Sequence, residues 1–163
     1  LPPMNTMTEQ EAYLRLAALC AQAEHCEYEM QEKMRRWEIA DDAQARVMQR
    51  LITERYVDDE RFARAFANDK VKYNKWGRRK VEQAMWLKHI AEDIRQRVLD
   101  SIDDEEYIAI LRPLLQQKRR SVKAHNDYEL RQKLIKFAIG RGFTMDIIKQ
   151  CISIDDEEEY DME

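Results

Sequence analysis

Apolar residues recur along this chain at helical spacing. Between Asp59 and about Tyr73, the residues Phe62, Ala65, Phe66 and Tyr73 fall roughly on one stripe. Between Gly77 and about Leu87 the stripe holds Val81, Ala84 and Met85. Between Glu92 and about Ser101, Ile94 and Val98 lead on to Ile102 at i, i+4 and i+8. Each pattern predicts a short amphipathic helix with one face turned to a core. A later set predicts a longer helix from about Asp104, then helices over Tyr128–Ile139 and Met145–Cys151. An earlier set is blurred from Thr8 to Cys26 but clear in Met30, Met34 and Trp37, and again in Ala43, Val47 and Leu51. Pro113 falls inside the long helix, where it removes a hydrogen bond and crowds the preceding turn. A kink is expected there, with a clean break as the lesser alternative.

These helix sets repeat. Ile39, Ala40, Asp42, Arg46 and Val47 stand in the same columns as Ile90, Ala91, Asp93, Arg97 and Val98. Asp146 and Ile147 continue the series, at spacings of 51 and 53 residues. Such a period marks supersecondary units too small to bury their own apolar face. The expected fold is all-α, with tandem three-helix repeats (homeodomain-like units) in an elongated curved array. The expected boundaries are 8–56, 57–102 and 103–153 for the repeats. Residues 1–7, opening Leu-Pro-Pro-Met, are expected to be a disordered leader or an appended remnant, and 154–163 an acidic disordered tail.

One motif punctuates the units. Val57–Phe62 reads VDDERF, Ser101–Tyr107 reads SIDDEEY, and Ser153–Tyr160 reads SIDDEEEY. The first two copies fall where one unit ends and the next begins. An Asp there accepts free N–H groups of the following turn, and the helix dipole favours the added acids. The aromatic three or four residues on then enters the core. Paired carboxylates also suit metal or acid–base chemistry, but the placement favours helix starts.

Composition supports the helical reading. Only three glycines and three prolines occur, too few for hairpins and tight sheet turns. Cys20, Cys26 and Cys151 show no CxxC spacing and cannot all pair, which fits a reducing cytoplasm. No apolar run reaches the length of a membrane span. The three glycines form no phosphate loop, and His25, His89 and His125 lie far apart, so no enzymatic activity, metal or cofactor is expected.

The chemical resource is charge. A formal net charge of −4 hides ten Lys or Arg against three acids between Arg112 and Lys149. Residues 155–163 hold seven acids and no base. Two basic clusters stand out as candidates for nucleic-acid or filament binding. One is Lys72, Lys75, Trp76, Arg78, Arg79 and Lys80, flanked by Lys70 and Tyr73. The other is Lys118, Arg119, Arg120, Lys123, Arg131, Lys133, Lys136 and Arg141. Cations interleaved with aromatics suit a phosphate backbone and stacked bases. A merely solvated basic face is the alternative for any single lysine, and Trp76 suits core packing as well as stacking.

The blocks YVDDERFARAF (Tyr56–Phe66), Gly77, LKHI (Leu87–Ile90) and KLIKFAIGRGF (Lys133–Phe143) resemble the middle and last repeats of the RecX regulatory proteins. The resemblance covers about Glu27 to Ile152. It implies tandem three-helix repeats and a regulator that binds the RecA recombinase filament and modulates it, usually by inhibition, within recombination, DNA repair and the SOS response. The chain is expected to be cytoplasmic, monomeric and non-enzymatic. A contact with single-stranded DNA accompanies that expectation. One column departs from the family pattern: Gly142 is replaced by His89 and Glu38 in the earlier units. A helix often ends there on a left-handed residue, so those two turns are either slightly strained or differently shaped. Two other classes stand beside this reading. One is a helix-turn-helix transcription regulator reading bases through Gln44, Arg46, Gln49 and Arg50; the other is a helical scaffold that binds a protein through its acidic tail.

Overall fold

The computed structural model describes residues 6–153. Among these, every regular element is an α-helix: α1 (Glu9–Gln22), α2 (Glu27–Arg36), α3 (Asp41–Thr53), α4 (Asp59–Lys72), α5 (Arg78–Leu87), α6 (Glu92–Asp100), α7 (Asp104–Ser121), α8 (Asp127–Gly140) and α9 (Met145–Cys151). The all-helical expectation holds, and the helix boundaries fall within a residue or two of those read from periodicity. The acidic tail lies outside the described residues.

The chain divides into two compact units, one of residues 1–66 with 85–95 and the other of residues 67–84 with 96–163. In the first unit, α1 buries Ala12, Tyr13, Leu16 and Ala17, α2 buries Met30 and Met34, and α3 buries Val47 and Leu51. Ile39 and Val57 complete this cluster, and Met7, assigned above to the leading segment, packs against it. Each fully enclosed side chain of this size contributes roughly 1.5–3 kcal/mol. The Thr8 hydroxyl closes the start of α1 by accepting from the Glu11 N–H at 3.1 Å.

In the second unit, α7 packs against both α8 and α9. Its buried residues, Tyr107, Ile108, Leu111, Leu114 and Leu115, form one stripe. Pro113 lies on the exposed side and the helix runs through it unbroken. That excludes the break; Pro113 simply brings no N–H to the Ala109 carbonyl. Asn126 caps α8 by accepting from the Glu129 N–H at 2.8 Å, and the Glu129 carboxylate accepts from the His125 N–H at 3.2 Å.

The acidic motif behaves as a helix start. Asp58 accepts from the Arg61 N–H at 3.0 Å, and Phe62 is buried. At α7 the Asp103 side chain makes no cap bond, but its carbonyl accepts from the Glu106 N–H at 3.0 Å and Tyr107 is buried. Most of the third copy lies outside the described residues.

The column of Glu38, His89 and Gly142 resolves toward strain. All three have left-handed backbone, with φ of 56°, 58° and 94°. The hydrogen bonds match as well. Glu38, His89 and Gly142 donate to the carbonyls of Arg35, Trp86 and Ile139, and the next residues Ile39, Ile90 and Phe143 donate to Met34, Met85 and Ala138. This is one Schellman turn used three times. In two copies an ordinary side chain tolerates the left-handed conformation, which costs about 1–2 kcal/mol. His89 offsets part of that cost by placing its ring 4.0 Å from the Tyr28 ring.

Candidate functional site

The basic and aromatic candidates named above all belong to the second unit. What joins them is the turn after α8. Gly77, just before α5, donates its N–H to the Arg141 carbonyl at 2.8 Å, and Arg79 donates to the Gly142 carbonyl at 3.0 Å. Two of the N–H groups at the start of α5 are thereby satisfied by backbone rather than left for an anion. The approach is close enough to require glycine on both sides. A Cβ on Gly77 would lie 2.3 Å from the Phe143 nitrogen, and one on Gly142 would lie 2.4 Å from the Lys80 Cβ.

This junction brings the two sequence clusters together. The Arg141 guanidinium donates to the Asn74 carbonyl at 3.3 Å and lies 5.4 Å from the centre of the Phe137 ring. Lys118 reaches the same ring at 5.2 Å. On the other side, the Lys70 and Lys80 ammonium groups lie 5.5 Å and 4.9 Å from the Trp76 ring. Four cations thus surround two half-buried aromatic rings, at the range where ring quadrupoles attract them. Trp76 is therefore a partly packed ring faced by lysines, while Tyr73, beside Lys72, is 69% exposed.

Not every candidate is available to a partner. Arg78 donates to Gln96 at 2.9 Å and Asp100 at 2.7 Å, which makes it a tie between α5 and α6. Lys133 bonds the Lys123 carbonyl at 2.6 Å and pairs with Glu129 at 3.0 Å. Lys75, Arg79, Arg120 and Lys136 are exposed and make no ion pair among the described residues. Arg119 and Arg131 stand apart from the junction, on a cleft of about 480 Å³ between α7 and α8. Phe137 was missed from sequence because its spacing reads as core stripe.

The base-reading alternative fares worse. Gln44 is buried and donates to the Ile39 carbonyl at 2.7 Å, while Arg46 is held by Glu9 at 2.8 Å and Asp42 at 3.3 Å. Arg50 bonds Gln10 at 2.8 Å and covers the Tyr13 ring, and Gln49 bonds Thr53 at 3.3 Å. Among the described residues, no group of three or more His, Cys, Asp or Glu side chains is placed to hold a metal. No helix there is long and apolar enough to cross a membrane.

Two family models match, the RecX third three-helix domain over residues 104–152 and the RecX second three-helix domain over 58–99, together more than half of the chain. The chain belongs to the RecX family. Among relatives, the regulatory protein RecX of Bacillus cytotoxicus is 25% identical over 152 residues, covering 93% of this chain and 56% of that protein. That of Bacillus cereus is 21% identical over 143 residues, covering 88% and 53%. The chain thus spans about half the length of these RecX relatives. A crystal structure of RecX from Lactobacillus salivarius superposes with a TM-score of 0.79 at 17% identity, covering 95% of this chain and 97% of that one. The tandem three-helix RecX fold is therefore shared, and the acidic tail falls beyond both matched domains.

Proposed function

We propose that this chain is a non-enzymatic regulator that binds the RecA recombinase filament and inhibits its recombinase and ATPase activity, acting as a monomer in the cytoplasm. Single-stranded DNA within the filament is contacted by the basic surface around Phe137 and the Arg141–Phe143 turn. Membership of the RecX family supports the recombinase as target. The observation that carries the DNA contact is the gathering of Lys70, Lys80, Lys118 and Arg141 around Trp76 and Phe137, with Arg79, Arg120 and Lys136 exposed nearby in sequence and free of ion pairs among the described residues. Such a surface attracts phosphates and offers ring edges to bases.

The test is RecA ATP hydrolysis on single-stranded DNA with the purified chain added. Inhibition at substoichiometric amounts is expected, and undiminished hydrolysis at a molar excess would refute the reading. Arg79→Ser, Arg120→Ser and Lys136→Ser together should flatten the slope of log affinity for single-stranded DNA against log salt by about 2, at about 0.7 per lost phosphate contact. An unchanged slope would remove the DNA contact while leaving the recombinase target standing.

A further inference from the structure

The last turn of α5 leaves two large apolar neighbours in water: Trp86 is 62% exposed and Leu87 59%. They border a cavity of about 420 Å³ that Tyr28, His89, Ile90 and Arg95 complete. All six residues belong to the first unit, whereas the basic junction belongs to the second. The left-handed turn at His89 shapes the cavity by laying its ring 4.0 Å from that of Tyr28. A single exposed apolar residue is ordinary on any protein surface. An adjacent pair beside a cavity that also holds a cation is the pattern of an interaction site.

The cation carries the chemistry. Arg95, from α6, donates through Nη1 to the Ile90 carbonyl at 2.6 Å, which fixes the guanidinium against the cavity. It makes no ion pair among the described residues. Its Nε is closed off from water and has no hydrogen-bond partner there. The head group is therefore under-satisfied, and an entering carboxylate gains a charge-assisted bond without displacing a resident acid. Glu29, next to Tyr28 on α2, does not compete, because Lys88 holds it at 3.0 Å.

We propose that this patch docks an acidic peptide of a partner protein, with a large apolar side chain against Trp86 and Leu87 and a neighbouring carboxylate on Arg95. Charge complementarity selects an anionic occupant, and the lining selects a peptide. Trp, Tyr and Arg are the side chains that anchor protein contacts. A nucleic-acid strand needs cations spaced along its phosphates, and here Arg95 is the one Lys or Arg that lines the cavity. The volume lies near the small end of ligand sites, about 300–1,000 Å³, which suits a short segment better than a second folded copy.

The experiment is 19F NMR of the full chain carrying 5-fluorotryptophan at its three tryptophans, Trp37, Trp76 and Trp86. The probe is the acetylated, amidated tetrapeptide Asp-Leu-Phe-Asp, beside its Asn-Leu-Phe-Asn counterpart. No recombinase or DNA is present, so the result is independent of the filament reading. The acidic peptide should move the Trp86 resonance saturably and leave Trp76, in the other unit, in place. Half-saturation should need about tenfold more of the Asn peptide, and about tenfold more acidic peptide in an R95Q chain, the weight of one charge-assisted bond. L87S, at an exposed position, should weaken binding about threefold or more with an unchanged far-UV spectrum. The Asn peptide tests the charge without altering the chain, so the outcome does not depend on the folding of R95Q. A Trp86 resonance unmoved at about 10 mM acidic peptide would overturn the proposal. So would equal half-saturation by the two peptides. A stronger Trp86 response to hexathymidylate than to the peptide would assign the patch to nucleic acid instead. A Trp86 shift that follows protein concentration without peptide would assign it to a second copy of the chain.

Discussion

Replacing Gly77 by Ala should be far more damaging than its chemistry suggests. Gly77 does not have the left-handed backbone of Gly142, so Ala meets no conformational objection there. At an unconstrained site the change would stabilise by about 0.4–1 kcal/mol, through reduced freedom of the unfolded chain. Here the added Cβ would lie 2.3 Å from the Phe143 nitrogen and 2.4 Å from both the Gly142 carbonyl carbon and the Phe143 Cα. These are backbone atoms, so relief requires α5 and the 141–143 turn to separate by about 1 Å or more to regain ordinary contact. That movement stretches the 2.8 Å bond from Gly77 to Arg141 and the 3.0 Å bond from Arg79 to Gly142. Overpacking costs about 1–3 kcal/mol, and the N–H of buried Gly77 left without its acceptor about 1–3 more, with a smaller loss at exposed Arg79. A loss of about 3–5 kcal/mol is therefore expected in urea unfolding followed by far-UV circular dichroism. Gly140→Ala is the control, because nothing lies within 4 Å of its added Cβ. It should be stabilising by about 0.5–1 kcal/mol. A loss below about 1 kcal/mol for Gly77→Ala would refute the close approach.

Glu38→Gly relieves a left-handed exposed residue and should raise stability by up to about 1 kcal/mol in the same assay. His89→Gly should give less, because it also removes the ring contact with Tyr28, and an equal gain from both would discount that contact. Tyr107→Phe deletes a buried hydroxyl with no hydrogen-bond partner among the described residues, in a residue whose pKa burial pushes up to about 12. It should be neutral or stabilising by up to about 1 kcal/mol, and a loss above that would reveal a missing partner. Burial also raises the Asp59 carboxyl, while its acceptance of the Glu27 N–H at 2.8 Å opposes the rise. A raised carboxyl favours the folded state below its unfolded pKa, and that contribution is lost as pH rises through the folded value. Asp59→Asn keeps an acceptor without the charge, so it should raise Tm more at pH 7 than at pH 4; the reverse order would refute the assignment.

The helices were legible because each carries an apolar stripe, although in α4 the buried residues are Phe62, Ala63, Ala67 and Val71, while Ala65 and Tyr73, read as stripe members, are exposed. The repeat was legible through Ile39, Ile90 and their neighbours, and the structure adds that the turns share backbone geometry despite Glu38 and His89. The Glu129–Lys133 pair is the kind that i, i+4 spacing announces. The tie from Arg78 to Asp100 is not, since it depends on how α5 meets α6. The same limit hid Phe137, whose helical spacing marks it as core while its ring edge collects two cations. The junction of Gly77 with Gly142 joins segments 65 residues apart, and no local pattern carries that pairing.

That junction also bears on how the chain is made. Repeat proteins generally fold by nearest-neighbour propagation, each unit supporting the next as it appears. Here the start of α5 leaves the ribosome well before Arg141 and Gly142, whose carbonyls satisfy its N–H groups. During synthesis α5 therefore waits with a frayed first turn, and water holds those donors until the last repeat emerges. Maturation of this half of the molecule becomes a single late event, timed by Arg141 and Gly142.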